Sequence, residues 1–154
     1  MPTIKLNVPA EAQEYDYSCW HTAAYMVFLY WQQNGCGAGP MNTIASSYAE
    51  SESQGLSPAK FITLGKMVGL KALPSKASYT EKDLYGVLTK YGPLWAAGTW
   101  DDGPHVITIT GVEKGFVFYN DPNGGEALAD TLSWFNSKRA KLPAALMAKD
   151  PDAY

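Results

Sequence analysis

The chain is poor in cysteine and histidine, with two of each in 154 residues. Two cysteines, Cys19 and Cys36, cannot build the disulfide scaffold of a small secreted domain. The soft ligands Cys19, His21, Cys36 and His105 match no zinc-binding spacing, and Cys19 and His21 would sit on different sides of a helix. No metal or cofactor is expected. Charge is also scarce: charged residues make up 18% and the net charge is −3. The chain is not basic overall, so nucleic acid is not an expected partner. No run of eighteen apolar residues exists to cross a membrane. The first residues, Met1 to Asn7, lack the apolar stretch and cleavage site of a signal peptide, so synthesis in a cytosol is expected.

What is present is a core. Apolar residues reach 46%, which suits one domain spanning residues 1–154. The first eighteen residues carry Pro2 and Pro9 and are expected to be extended chain or loop. Residues 19–33 are apolar on nearly every side, the pattern of a helix buried in the middle of a domain, and Gly35 and Gly37 end it. Further helices are expected over 41–48, over 58–67 with Ser57 as N-cap, and from the Thr80/Asp83 capping box to residue 90. The period then shortens. Strands are expected over 93–100, 105–110 and 116–120, a short helix over 132–137 and a last strand over 142–148. Helices first and antiparallel strands second make an α+β fold.

Cys19 opens the buried helix. A helix N-terminus carries partial positive charge, which favours the nucleophilic thiolate, and Ser18 or Asp16 is placed to cap it. Taken alone, Cys19 is equally a small apolar core residue. A nucleophilic thiol needs a base. His21 is about 200° round the helix from Cys19 and points away. His105 follows a Gly-Pro turn at the start of a strand, where a side chain reaches a cleft while its backbone is held in a sheet. The base needs an orienting partner. If the hairpin turns through Glu113-Lys114-Gly115, with Gly115 left-handed, Val112 pairs with Phe116 and Asp121 falls on the face of His105. A two-residue turn flips the parity and brings Asn120 there instead. The oxyanion needs donors. One is the Cys19 backbone N–H; Gln13, six residues upstream, carries an amide that could supply the second.

The stretch from Gln13 to Ser18-Cys19-Trp20, followed by Ala23-Ala24 and Met26, resembles the active-site segment of papain-like cysteine peptidases. Gly92-Pro93-Leu94, His105 to Gly111, and Tyr119-Asn120-Asp121-Pro122 resemble their second half. The Asp-Pro pair is similar to two bacterial branches, papain-like effector proteases and the double-glycine peptidases that process bacteriocin leaders. The resemblance covers roughly residues 13 to 122. It implies a papain-like fold with a central helix starting at the nucleophile and a C-terminal antiparallel sheet. It implies Cys19 as nucleophile, His105 as base, Asp121 as third member and Gln13 in the oxyanion hole.

The same resemblance implies an endopeptidase acting on a specific cytosolic protein, made by a bacterium and delivered by a secretion system into a target cell. Only twelve residues precede Gln13, so no propeptide is expected to restrain the enzyme, and an immunity or inhibitor protein is an expected partner. A housekeeping leader peptidase, an amide hydrolase of the same clan, and a non-catalytic binding domain are the competing readings. Trp20, Trp95, Trp100 and Tyr119 lie near the motifs. Any that wall the cleft would narrow it and favour cleavage after glycine.

Overall fold

The computed structural model describes residues 3–14, 18–36, 58–74, 76–101 and 103–153. The helix expected over 41–48, the Ser57 cap and Asp16 lie outside them. Seven strands form one antiparallel sheet: β1 (Ile4–Lys5), β2 (Leu70–Ala72), β3 (Leu94–Gly98), β4 (His105–Glu113), β5 (Phe116–Asp121), β6 (Glu126–Thr131) and β7 (Leu146–Lys149). Their order is β2-β7-β3-β4-β5-β6, and β1 joins β4. The helices are α1 (Cys19–Gln33), α2 (Phe61–Val68), α3 (Glu81–Tyr91) and α4 (Leu132–Lys138). The architecture is α+β, as the sequence implied.

Alternation along the central strands sorts their side chains onto two faces. Trp95, Ala97 and Val106 pack with Trp20, Ala23 and Val27 of α1 and Phe61 and Leu64 of α2. Leu94, Ala96, Ile107 and Ile109 pack on the other face with Leu84 and Leu88 of α3 and Phe135 of α4. Both faces of β3 are therefore covered, and all five of its residues are buried. That is why residues 94–98 read as an unbroken apolar run rather than an alternating one.

Local chemistry explains several boundaries. The Thr80 side chain accepts from Asp83 N while Asp83 accepts from Thr80 N, the reciprocal capping box expected for α3. Gly69 ends α2 in the left-handed conformation, at φ 76°. Pro58–Lys60 forms a 3-10 turn, so α2 starts at Phe61 rather than at Pro58. Four strands depart from expectation. β1 lies in the stretch expected to be extended chain or loop, β2 and β6 carry no strand signal, and β7 begins at Leu146 rather than residue 142. These segments are short or poor in β-branched residues, so pairing with a neighbour rather than propensity makes them strands.

Candidate active site

Two hydrogen bonds from the sheet hold α1 in place. Trp95 Nε1 donates to the Trp20 carbonyl at 2.9 Å, and Thr108 Oγ1 donates to the Ala23 carbonyl at 3.0 Å. Both acceptors lie in the first two turns, so the end of the helix that carries Cys19 is fixed over β3 and β4. Ser18 occupies the N-cap position and is buried, but its side chain makes no capping bond.

His105 starts β4 opposite Gly98 of β3. Its Nε2 lies 2.6 Å from Asp121 Oδ1, and the same oxygen accepts from Asn123 N at 2.9 Å. The ring's other nitrogen is left for Cys19, whose hydrogen bond and charge act on the imidazole. Burial works to lower the ring's pKa. The hydrogen bonds to Asp121 and Cys19, with the charges of both, outweigh it and push the value up to about 10. The structure thus brings Cys19, His105 and Asp121 into one chain of contacts.

The register that brings Asp121 to the face of His105 combines the shorter of the two turns considered with a bulge. The β4–β5 turn has two residues: Glu113 pairs with Phe116, and Lys114 and Gly115 have φ of 49° and 81°. Both angles are positive, as a two-residue hairpin turn of right-handed twist requires. That turn alone would have put Asn120 beside His105. A bulge intervenes. Ile109 pairs with Tyr119 but Gly111 pairs with Phe118, leaving Thr110 as the extra residue. One turn residue fewer and one bulge residue more restore the parity, and Asp121 returns to the face of His105. Leu6 N donates to the Thr110 carbonyl at 2.8 Å, so the N-terminal segment captures the bulge.

Asn120 has another task. Buried, it donates through Nδ2 to the carbonyls of Val8 at 3.0 Å and Pro9 at 3.5 Å. Gln13 N donates to the Pro122 carbonyl at 2.7 Å. Gly125, at φ 66°, lies so near the same segment that a Cβ there would come within 2.8 Å of Ala12 N. Residues 8–13 are thereby laid along the end of β5, and Gln13 arrives beside His105. The two share a hollow of about 240 Å³ with Asp101, Gly103, Pro104 and Asn123.

Asp101 and the arm-clamping role of Asn120 were not foreseen, although an Asp-Asp-Gly-Pro turn just before the histidine strand was visible. Asp101 Oδ2 is 3.7 Å from His105 Nε2 and half exposed. Asp101, His105 and Asp121 hold their ligand atoms within 4.8 Å of one another, as a cation site would. The Nε2 that such a cation would take already faces Asp121 Oδ1 at 2.6 Å. Nearby acids also act on Tyr119: burial first, then Asp130, Asp121 and Asp101, push it up to about 12.

The remaining residues separate as expected. His21 packs edge-on against Trp20 at 5.9 Å, and burial lowers its pKa to about 4. Cys36 lies beyond the far end of α1, roughly 22 Å from Cys19 at 1.5 Å per residue, and both thiols are free. Trp20, Trp95, Trp100 and Tyr119 are all buried, in the two cores.

A thiol at the head of a central helix, an imidazole heading a strand and a buried carboxylate behind it, on this fold, define a papain-like cysteine protease. The family model described as "Papain-like cysteine protease AvrRpt2" matches residues 2–140, and the chain belongs to that family. Among solved structures, a double glycine motif protease from an AMS/PCAT transporter, crystallised in complex with the leader peptide, matches with a TM-score of 0.61. The match covers 94% of each chain at 15% identity. Comparison with curated proteins finds no match.

Proposed function

We propose that the protein is an endopeptidase with a restricted protein substrate, working through Cys19, His105, Asp121 and Gln13. The carrying observation is the contact chain from Cys19 through the His105 ring to Asp121, with the ring's pKa raised to about 10. At neutral pH the imidazole holds its proton and faces the Cys19 sulfur, whose thiolate form is the nucleophile. Sulfur attacks the scissile carbonyl carbon, and the oxyanion meets the Cys19 N–H and the Gln13 side-chain amide. His105 passes its proton to the departing amine, leaving a thioester on Cys19. Water then attacks, giving its proton to His105, and the acid product leaves. Asp121 holds the ring without taking the proton.

The finer reading is of a bacterial effector or toxin, delivered to the cytosol of another cell and held in check at home by an immunity protein. The resemblance of the Gln13, Cys19 and Asp121-Pro122 segments to papain-like effector proteases supports it. Cleavage after glycine rests on that resemblance alone, because Trp20, Trp95, Trp100 and Tyr119, any of which would narrow a cleft it walled, are buried. The leader peptide bound by the double-glycine neighbour favours a second reading, removal of a leader from a secreted peptide. The test is to identify the new N-termini in cells expressing wild type or Cys19→Ala. A few Cys19-dependent cuts after glycine in folded cytosolic proteins support the proposal. Broad digestion, or identical termini from both forms, overturns it.

A further inference from the structure

The basic residues, scattered along the chain, are gathered in space. Three adjoining hollows share Leu73 and Pro74, beside α3 and the segment that follows α4. The largest has a volume of about 530 Å³, with Tyr79, Val87 and Tyr91 in its lining and Lys76, Lys82 and Lys90 around it. Arg139 and Lys141 line the second, Lys71 and Lys149 the third. Among the described residues, seven of the chain's 12 Lys and Arg line this groove, against one of its 15 Asp and Glu, Asp83. The groove carries a net of six positive charges on a chain whose net charge is −3.

Exposed lysines alone usually mean a solvated face, but these frame a built concavity. The Arg139 guanidinium donates to the carbonyls of Lys76 at 2.6 Å and Ala77 at 2.8 Å, and lies 4.9 Å from the centre of the Tyr79 ring. Lys76 is held by Asp83 at 3.1 Å. Lys82, Lys90 and Lys141 stand exposed at the rim. The groove also begins near the active site. Gly98 pairs with His105 on one side and bridges Arg139 on the other. Arg139 is therefore two strand spacings, about 10 Å, from the His105 backbone, a gap covered by three or four residues of extended chain.

We propose that this groove binds an acidic stretch of the protein substrate, bearing an aromatic or large apolar side chain, outside the segment that is cut. The proposal rests on the endopeptidase reading of Cys19. Acidic side chains meet the rim lysines, and the apolar side chain lies against Val87 and Tyr91. The rest of the chain carries a net of nine negative charges. A nucleic acid or an anionic bilayer spreads its charge past the groove onto those repelling flanks, whereas a single peptide strand does not.

The test uses the peptide Glu-Glu-Phe-Glu-Glu-Phe-Glu-Glu, fluorescein-labelled, and the folded Cys19→Ala protein in a binding titration by anisotropy. Salt-sensitive binding is expected. It should weaken at least tenfold in a Lys82→Glu/Lys90→Glu/Lys141→Glu variant and less than twofold in Lys60→Glu/Lys66→Glu/Lys114→Glu, which carries the same charge change elsewhere. No binding, equal loss in both variants, or tighter binding of polyuridylate RNA overturns the proposal. In the active enzyme, the octapeptide joined to either end of a cleaved library peptide should lower KM at least fivefold in one orientation, with kcat unchanged. A tail that binds but slows cleavage overturns the substrate role. If cleavage does not depend on Cys19, the endopeptidase reading falls, while the binding titration still decides the groove.

Discussion

The active-site end of the sheet and the groove beside α3 handle charge in opposite ways. At the first, the Asp121 carboxylate is buried, accepts from Asn123 N and meets the His105 ring at 2.6 Å. At the second, most of the ions stand at the rim in water, and the Lys76–Asp83 pair is partly exposed. Burial multiplies an ionic interaction and makes its geometry decisive, while exposure leaves it worth about 0–1 kcal/mol. The buried end can therefore set a protonation state, and the exposed groove can act only through the sum of many weak attractions. Substitutions should separate the two regions by orders of magnitude in rate.

The largest effect is expected at the thiol. Cys19→Ala should lower turnover by several orders of magnitude with the fold intact, because a covalent nucleophile is lost and a small side chain replaces a small one. Iodoacetamide should label Cys19 faster than Cys36 at neutral pH. Equal labelling, or activity retained by the alanine variant, breaks the comparison at its root. His105→Ala should approach the same loss.

Next come the neighbours Asp121 and Asn120, whose separation sharpens the register argument. Asp121→Ala should leave residual activity, since the carboxylate orients the ring without moving its proton. Asn120→Ala should act mainly on stability, by about 1–3 kcal/mol, because it strips the buried Val8 carbonyl of its partner. Urea unfolding and steady-state kinetics on both variants check this. A larger rate loss from Asn120→Ala than from Asp121→Ala would assign the two residues the wrong way round.

The pH dependence follows from the raised pKa of His105. The folded value, about 10, lies above the ordinary 6.5. The contribution to stability is therefore fully present below pH 6.5 and is lost as pH rises through 10. Stability by urea unfolding should fall over that window in the wild type more than in His105→Ala. In Cys19→Ala the ring should titrate lower, because the thiol's hydrogen bond and charge are both removed, and NMR titration of the His105 ring reads this directly. An unchanged titration would uncouple the thiol from the ring.

The smallest effect is expected at Asp101. It lies 3.7 Å from the same imidazole nitrogen but half exposed, so screening limits it to about 1 kcal/mol. Asp101→Asn should change kcat/KM by no more than about fivefold, equivalent to that energy. A hundredfold loss would place this carboxylate within the catalytic machinery and erase the distinction between buried and exposed charge.

Legibility in the sequence followed the range of the interaction. The α3 capping box and the glycine stop after Val68 involve partners a few residues apart, and both were visible in the chain. Cys19 and His105 stood out because the chain has two cysteines and two histidines, and Gln13 because its segment resembles a known family. The choice between Asp121 and Asn120 hung on the turn length, which the sequence left open. A three-residue turn and the observed two-residue turn plus bulge at Thr110 give the same parity, and the bulge carried no local signal.

The sequence by itself determined the buried central helix with a thiol at its head, the short strands after residue 93, and the type of chemistry the chain could do. These follow from local propensity, apolar periodicity and residue inventory. Tertiary structure decided the rest. It placed Asn120 on the N-terminal arm rather than the imidazole, buried the four aromatics, and drew seven basic residues around one groove. Each of those outcomes depends on strand register and on which face a residue occupies. A single bulge residue inverts both, and partners distant along the chain hold that bulge in place.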